Sequence, residues 1–295
     1  MATYRFVTVD VFTDTRFGGN PLAVFPDARG LSDADMQALA TEFNLSETTF
    51  VLPPQDPAHT ARVRIFNTTA EMPFAGHPNV GTGYVLAGLG RDLGGVLLFE
   101  EIAGLVEVRI ERDADGAPAG AMIAAPQPLS LGAEMVAEDI AAAVGIDAAE
   151  VVTSVHPPRL ASTGYSFVFA QVTPRALTRA APDIAAFRRV DAERPDLGGR
   201  FALHLYARDG AGLRARMFAP LQGTFEDPAT GSANVTLGAL LLSLSGEAEG
   251  RYEIVQGVEM GRPSLLRVAA RRTPDGVRAT VAGSCVPVLR GEVSL

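Results

Sequence analysis

Lysine is missing altogether: all 25 basic residues are Arg. That excludes a Schiff-base lysine, a pyridoxal-phosphate anchor and the lysine of a phosphate-binding P-loop. Cysteine occurs once, as Cys285. Internal disulfides, cysteine-rich zinc or iron–sulfur sites and any mechanism needing two thiols on one chain are excluded with it, and the lone thiol reads as a small buried hydrophobe. The four His, at 59, 77, 156 and 204, show no metal-ligand spacing, and all but His77 read as structural or surface residues. Gly-x-Gly-x-x-Gly, Gly-x-Ser-x-Gly and His-Glu-x-x-His are all absent. No apolar run is long enough to span a membrane. Met1 to Phe6 lacks a basic region followed by an apolar one, so a cytoplasmic protein is expected.

What is present is ordinary for a globular protein. The 295 residues are 47% hydrophobic and 20% charged, enough for two domains with cores of their own. A net charge of −9 argues against nucleic acid or an anionic membrane as partner.

The chain repeats itself about 150 residues apart. Arg62-Val63-Arg64-Ile65-Phe66 matches Arg214-Ala215-Arg216-Met217-Phe218, and Gly76-His77-Pro78-Asn79-Val80 matches Gly231-Ser232-Ala233-Asn234-Val235. Phe99 to Gly104 matches Tyr252 to Gly257, and Arg112 to Gly116 matches Arg272 to Gly276. The offsets, 152, 155, 153 and 160, keep the same order, so the chain reads as two homologous halves. In each, an alternating strand precedes a loop, an almost wholly apolar helix (Val80 to Ala87, Val235 to Leu244) and further strands with a turn at Asp115-Gly116 or Pro274-Asp275-Gly276. The first half carries an extra helix after Ser32, with Asp35 completing a capping box, Met36, Leu39, Ala40 and Phe43 on one face, and Asn44 as its stop. A second helical pattern runs from Met135 to Val144.

Matching loops of two such halves lie opposite each other across a cleft. They are Glu71 to Asn79 and Gln222 to Asn234, each ending where an apolar helix begins. Helix starts offer unpaired N–H groups and partial positive charge, so two of them can hold a carboxylate or similar anion without Lys or metal. The competing reading is that these loops only cap their helices, with Asp227 a plain N-cap-like residue. A third segment, Asn44 to Val51, puts Glu47 at a helix–strand boundary, where it is either solvated or, if buried, raised in pKa and able to exchange protons.

The motifs Asp10-Val11-Phe12-Thr13, Phe17-Gly18-Gly19-Asn20-Pro21, Asn44-Leu45-Ser46-Glu47-Thr48, Gly76-His77-Pro78 and Glu226-Asp227-Pro228-Ala229-Thr230-Gly231-Ser232-Ala233 together resemble the phenazine-biosynthesis isomerase (PhzF-like) family, in family order over essentially the whole chain. The resemblance implies a diaminopimelate epimerase-like α/β (α+β) fold: two pseudo-symmetric halves, each a curved mixed sheet around a central helix. The expected bounds are 1–120, joined by the last strand 284–295, and 121–283. The resemblance also implies that Glu47 is the acid/base residue, that His77, Asp227 and Ser232 bind and polarise the substrate with the Gly76 and Gly231 backbone, and that Thr230 belongs to the same binding loop. No cofactor, a small-molecule carboxylate substrate and a homodimer are expected. The nearest family chemistry is isomerisation of 2,3-dihydro-3-hydroxyanthranilate. The epimerase relatives use a Cys from each half, and here those places hold His77 and Ser232. A racemase, epimerase or dehydratase on the same scaffold, and a non-catalytic small-molecule binding protein, are the alternatives.

Overall fold

A helix that is apolar on every side needs walls on every side, and each half of the chain supplies them by curling its strands around one. The computed structural model describes residues 1–295. It divides into two units, Met1–Ala124 with Ala282–Leu295, and Ala125–Val281. No helix is long and apolar enough to cross a membrane.

The first unit contains β1 (Thr3–Val11), β2 (Asn20–Phe25), α1 (Asp33–Phe43), β3 (Glu47–Leu52), β4 (Ala61–Phe66), β5 (Glu71–Met72), α2 (Gly76–Gly88), β6 (Val96–Glu101), β7 (Gly104–Arg112) and β8 (Pro118–Ala124). The second contains β9 (Ser130–Glu134), α3 (Ala137–Val144), β10 (Arg159–Ser162), β11 (Ser166–Gln171), α4 (Pro174–Arg179), α5 (Ile184–Glu193), β12 (Leu203–Asp209), β13 (Gly212–Ala219), β14 (Thr224–Asp227), α6 (Gly231–Leu244), β15 (Glu249–Gln256) and β16 (Ser264–Thr273). The long β17 (Gly276–Ser294) starts in the second unit and ends in the first.

The pairing pattern is the same twice. β2 runs parallel to β3, β3 antiparallel to β4, β4 parallel to β6 and β6 antiparallel to β7. β11 and β12, β12 and β13, β13 and β15, and β15 and β16 repeat that sequence of directions. In the first unit β7 continues to β8, β8 pairs with β17, and β17 with β1 and β2 closes the ring around α2. In the second, Ala125 and Leu129 donate backbone bonds to Ala279 and Val277 of β17, and Gln127 to Thr163, which draws the ring shut around α6.

Both central helices press so close to the wall that glycine is required. A Cβ on Gly83 would lie 2.6 Å from Val108 Cγ1, and one on Gly238 would lie 2.4 Å from Val268 Cγ1. The helices therefore keep a residue that costs roughly 1 kcal/mol of helix propensity. Another contact is duplicated at the same offsets. Arg64 Nε and Nη2 donate to Glu71 at 2.7 and 2.6 Å, with the guanidinium over the Phe66 ring. Arg216 makes the same fork to Glu226, 2.8 Å on both arms, over the Phe218 ring. A guanidinium that satisfies a carboxylate bidentately and stacks on an aromatic face is a demanding geometry to obtain twice by accident.

Two expectations are corrected. The helix after Ser32 has its cap, capping box and left-handed Asn44 stop as read, but it is not extra. A parallel strand pair needs a crossover connection: α1 supplies it between β2 and β3, and α4 with α5 supplies it between β11 and β12. Second, the match of Phe99–Gly104 to Tyr252–Gly257 is two residues out. Ala61 faces Phe99 across one parallel pair and Leu213 faces Ile254 across the other. Since Ala61 and Leu213 correspond, Phe99 corresponds to Ile254, and Glu101 to Gln256.

Candidate active site

His77 is the second residue of α2 and Glu47 the first of β3. Two features fix those places. The left-handed Asn44 turns the chain out of α1 into β3, and Thr49 and Thr82 share a buried hydroxyl–hydroxyl bond of 2.8 Å that ties β3 to α2. Pro78, in the first helical turn, gives up an N–H that has no helical partner there. Asn79 Nδ2 donates to the Ala75 carbonyl at 3.0 Å and fastens the turn. Ala75 has no side chain to cap with, so Gly76 and His77 begin the helix uncapped, whereas α1 and α5 are capped by Ser32 and Asp183.

His77 Nε2 lies 3.4 Å from Glu47 Oε2. This is not an ion pair. Burial holds the His77 imidazole at a pKa of about 3, so it is neutral at ordinary pH. The separation exceeds the 2.7–3.2 Å of a formed N–H···O bond. A neutral imidazole beside a carboxyl can donate or accept a hydrogen bond without adding charge.

In the second unit Asp227 ends β14, and the helix cap is Thr230, which corrects the N-cap-like reading of Asp227. Thr230 Oγ1 donates to Asp227 Oδ2 at 2.5 Å rather than to the helix, so Gly231 and Ser232 also begin α6 without a side-chain cap. The hub of this loop is Gln256, which sequence reasoning missed. Its Nε2 donates to the Asp227 carbonyl (2.7 Å) and Thr230 Oγ1 (3.0 Å). Its Oε1 accepts from Asn234 Nδ2 (2.6 Å) and Thr230 N (3.2 Å). Asn234 Nδ2 also donates to the Thr230 carbonyl at 2.9 Å, the counterpart of Asn79 and Ala75. Ser264 Oγ donates to the Pro228 carbonyl at 2.9 Å and holds the other side of the loop.

Thus Glu47, Gly76 and His77 are neighbours in the first unit, and Asp227, Thr230, Gly231 and Ser232 in the second. The halves are unequal at these positions. Thr48 faces Phe66 and Leu203 faces Phe218, so the place of Glu47 is taken in the second half by Ala202, and that of His77 by Ser232. The other His are structural: His59 pairs with Glu100 at 2.8 Å, His156 Nε2 bonds Tyr206 at 2.7 Å, and His204 is wholly buried. Cys285 is buried, with its thiol pKa pushed up by desolvation.

A family model described as phenazine biosynthesis-like protein matches residues 9–291. An uncharacterized isomerase of Mesorhizobium japonicum is 37% identical, covering 99% of each chain. A trans-2,3-dihydro-3-hydroxyanthranilate isomerase of Pseudomonas aeruginosa is also 37% identical, covering 99% of this chain and 100% of that one. The solved structure of a Bacillus anthracis phenazine biosynthesis protein of the PhzF family matches at a TM-score of 0.87, with 26% identity and 100% of both chains covered.

Proposed function

Since this chain belongs to the phenazine biosynthesis-like (PhzF) family and is an isomerase like its named relatives, we propose that it shifts a proton within a small conjugated carboxylate through Glu47. The Glu47 carboxylate takes a proton from a substrate carbon and, as the acid so formed, returns it to another carbon of the same conjugated system. The double bonds move and no atom is gained or lost. Neutral His77 beside it hydrogen-bonds the reacting portion of the substrate, and Asp227, Thr230 and Ser232, with the N–H groups at Gly76 and Gly231, bind its polar groups. Uncapped helix starts suit the carboxylate of such a substrate. No step requires a cofactor. The compound named for the Pseudomonas relative, trans-2,3-dihydro-3-hydroxyanthranilate, is the first substrate to try.

The observation that carries this reading is the Glu47–His77 contact of 3.4 Å at a place whose duplicate holds Ala202 and Ser232. Racemisation by two bases needs a proton carrier on each face of one carbon. A frame with its carboxyl–imidazole pair in one half favours carrying one proton between two positions. The test is Glu47→Gln, incubated in D2O with trans-2,3-dihydro-3-hydroxyanthranilate and a panel of small carboxylates, reading deuterium uptake by mass spectrometry. The wild type exchanges and the variant loses roughly 10²–10⁴-fold in rate. A variant that exchanges as fast as the wild type refutes the role of Glu47.

A further inference from the structure

Four polar side chains of the second unit form one line. Asn234 Nδ2 donates to Gln256 Oε1 at 2.6 Å, Gln256 Nε2 to Thr230 Oγ1 at 3.0 Å, and Thr230 Oγ1 to Asp227 Oδ2 at 2.5 Å. Asn234 and Gln256 are fully buried, Thr230 and Asp227 nearly so. Each bond is donated in the same direction, away from Asn234 and toward Asp227. Backbone groups set that direction, because a peptide N–H only donates and a peptide carbonyl only accepts. Asn234 Nδ2 also donates to the Thr230 carbonyl at 2.9 Å, which fixes which arm of that amide is the nitrogen. Thr230 N donates to Gln256 Oε1 at 3.2 Å and the Asp227 carbonyl accepts from Gln256 Nε2 at 2.7 Å, so the Gln256 amide is fixed through both of its arms. The Thr230 oxygen therefore receives an N–H, and its own single proton goes to Asp227. The short separation there is that of a hydroxyl on an ionised carboxylate, for which about 2.5–2.7 Å is usual.

The duplicate shows that starting a central helix does not need this line. At the matching places the first half keeps Asn79, which donates to the Ala75 carbonyl at 3.0 Å, but it has Ala75 where the second half has Thr230, and Met72 where the second half has Asp227. The Asn tie alone serves α2. The hydroxyl and the carboxyl are present only in the second half, and there Gln256 aligns them.

We propose that Gln256 is a positioning residue for the reaction given above: by donating to the Thr230 oxygen it turns the Thr230 proton onto Asp227, which then meets the substrate as an ionised acceptor and hands it no proton. Gln256 touches no reacting atom in this role and acts through Thr230. Without its N–H the Thr230 oxygen regains a lone pair, the hydroxyl is free to rotate, and the bond that orients the Asp227 carboxylate is no longer enforced. Glu47 is left as the single proton carrier.

The experiment has two arms. Neutron diffraction from perdeuterated wild-type crystals should show one deuterium bonded to Thr230 Oγ1 on the line to Asp227 Oδ2, the two of Gln256 Nε2 directed at the Asp227 carbonyl and Thr230 Oγ1, and none on Asp227. This arm is independent of the reaction proposed above. The kinetic arm rests on that reading and uses Gln256→Met, Thr230→Val and the double variant, each assayed at a temperature where circular dichroism shows it folded. Each single change should raise KM about tenfold or more, the order set by losing a hydrogen bond to a charged group, and should lower kcat less, because a misdirected binding group affects ground and transition states alike. Since Gln256 acts through the Thr230 proton, adding Gln256→Met to Thr230→Val should raise KM no more than about twofold further, whereas a merely structural role would multiply the two effects. A deuterium on an Asp227 oxygen, a Thr230 deuterium turned away from Asp227, a folded Gln256→Met with wild-type KM, or effects that multiply would each overturn the proposal. Should Gln256→Met not fold, the wild-type deuterium positions decide. The expected deuterium positions in a protein that exchanges none of the panel would sink the proposed reaction and leave the Gln256 assignment standing.

Discussion

Changing Gln256 to Glu replaces one NH2 group by one oxygen at a buried side chain that makes four hydrogen bonds. The accepting role survives, because an oxygen still faces Asn234 Nδ2 and Thr230 N. Both donated bonds are lost, to the Asp227 carbonyl and to Thr230 Oγ1. Each is worth about 1 kcal/mol net, and an orphaned buried carbonyl adds about 1–3 kcal/mol, so the ionised variant should lose roughly 3–5 kcal/mol. Protonation offers an escape. Burial raises the introduced carboxyl above the ~4.3 it has in the unfolded chain. The folded variant then holds a proton that the unfolded chain releases. Its deficit relative to wild type is therefore smallest below about pH 4.3, widens as pH rises toward the folded pKa, and is level above it. Each unit of upward shift adds about 1.4 kcal/mol to that widening. Urea unfolding of both proteins at pH 5.5 and pH 9 measures it. A variant within about 1 kcal/mol of wild type at pH 9, or a deficit that does not change with pH, would show that the Gln256 donors do not hold the Asp227–Thr230 loop.

The duplicated ion pair gives an internal control. Arg216 is 7% exposed, forks onto Glu226 and donates to the Leu177 and Ala180 carbonyls, so Arg216→Met strands a buried carboxylate and two carbonyls at about 3–5 kcal/mol. Arg64→Met should cost about 1–2 kcal/mol, since Glu71 is 24% and Asp33 84% exposed; equal losses by guanidinium denaturation would refute the burial argument. His204, wholly buried beside Asn234 and held by desolvation at a pKa of about 3, stays neutral while the unfolded chain takes up a proton below about pH 6.5. Stability should fall as pH drops from there, and His204→Leu should recover about 2 kcal/mol at pH 5 relative to pH 8, read as melting temperature at both values; an unchanged slope would show that His204 finds a partner in solution.

The duplication was legible in the sequence because it rests on residues that do the same packing job twice, such as Arg64 and Arg216 or Asn79 and Asn234. The central helices were legible because they are apolar all round, and α1 because its Ser32–Asp35 box and Asn44 stop are local chemistry. The slip at Phe99 has a physical cause. Helix starts and strand ends share one offset, 155 residues, and β15 differs from the six-residue β6 only in beginning two residues earlier. Matching Glu100 to Glu253 aligned two exposed or half-exposed residues, which carry little register information, when buried Phe99 and Ile254 carry it. Gln256 left no trace because a single polar residue at a strand end has no local signature; its role exists only once the strand is set beside a helix start. The second crossover was missed for a related reason. α4 is a single short helix and α5 carries its buried face on only Ala186, Phe187 and Val190.

Comparing the halves separates what the frame needs from what the chemistry needs. Retained in both are the glycines that let the central helix touch its wall, Gly83 and Gly238, the Arg–Glu fork over a Phe, and the Asn that ties down the helix start. Each of these would be required of any such barrel. The differences gather at the helix starts and the strand ends beside them: Glu47 against Ala202, His77 against Ser232, Met72 against Asp227, Glu101 against Gln256. A frame free to keep both copies alike has kept them alike in packing and unlike in polarity. Inversion at one carbon treats its two faces alike and gains from matched groups in both halves. Moving a proton from one carbon to another has a single carrier and a direction, and the proposed proton shift suits a chain that has a carboxyl beside a neutral imidazole in one half where the other half has a hydroxyl and a loop-bound Asp.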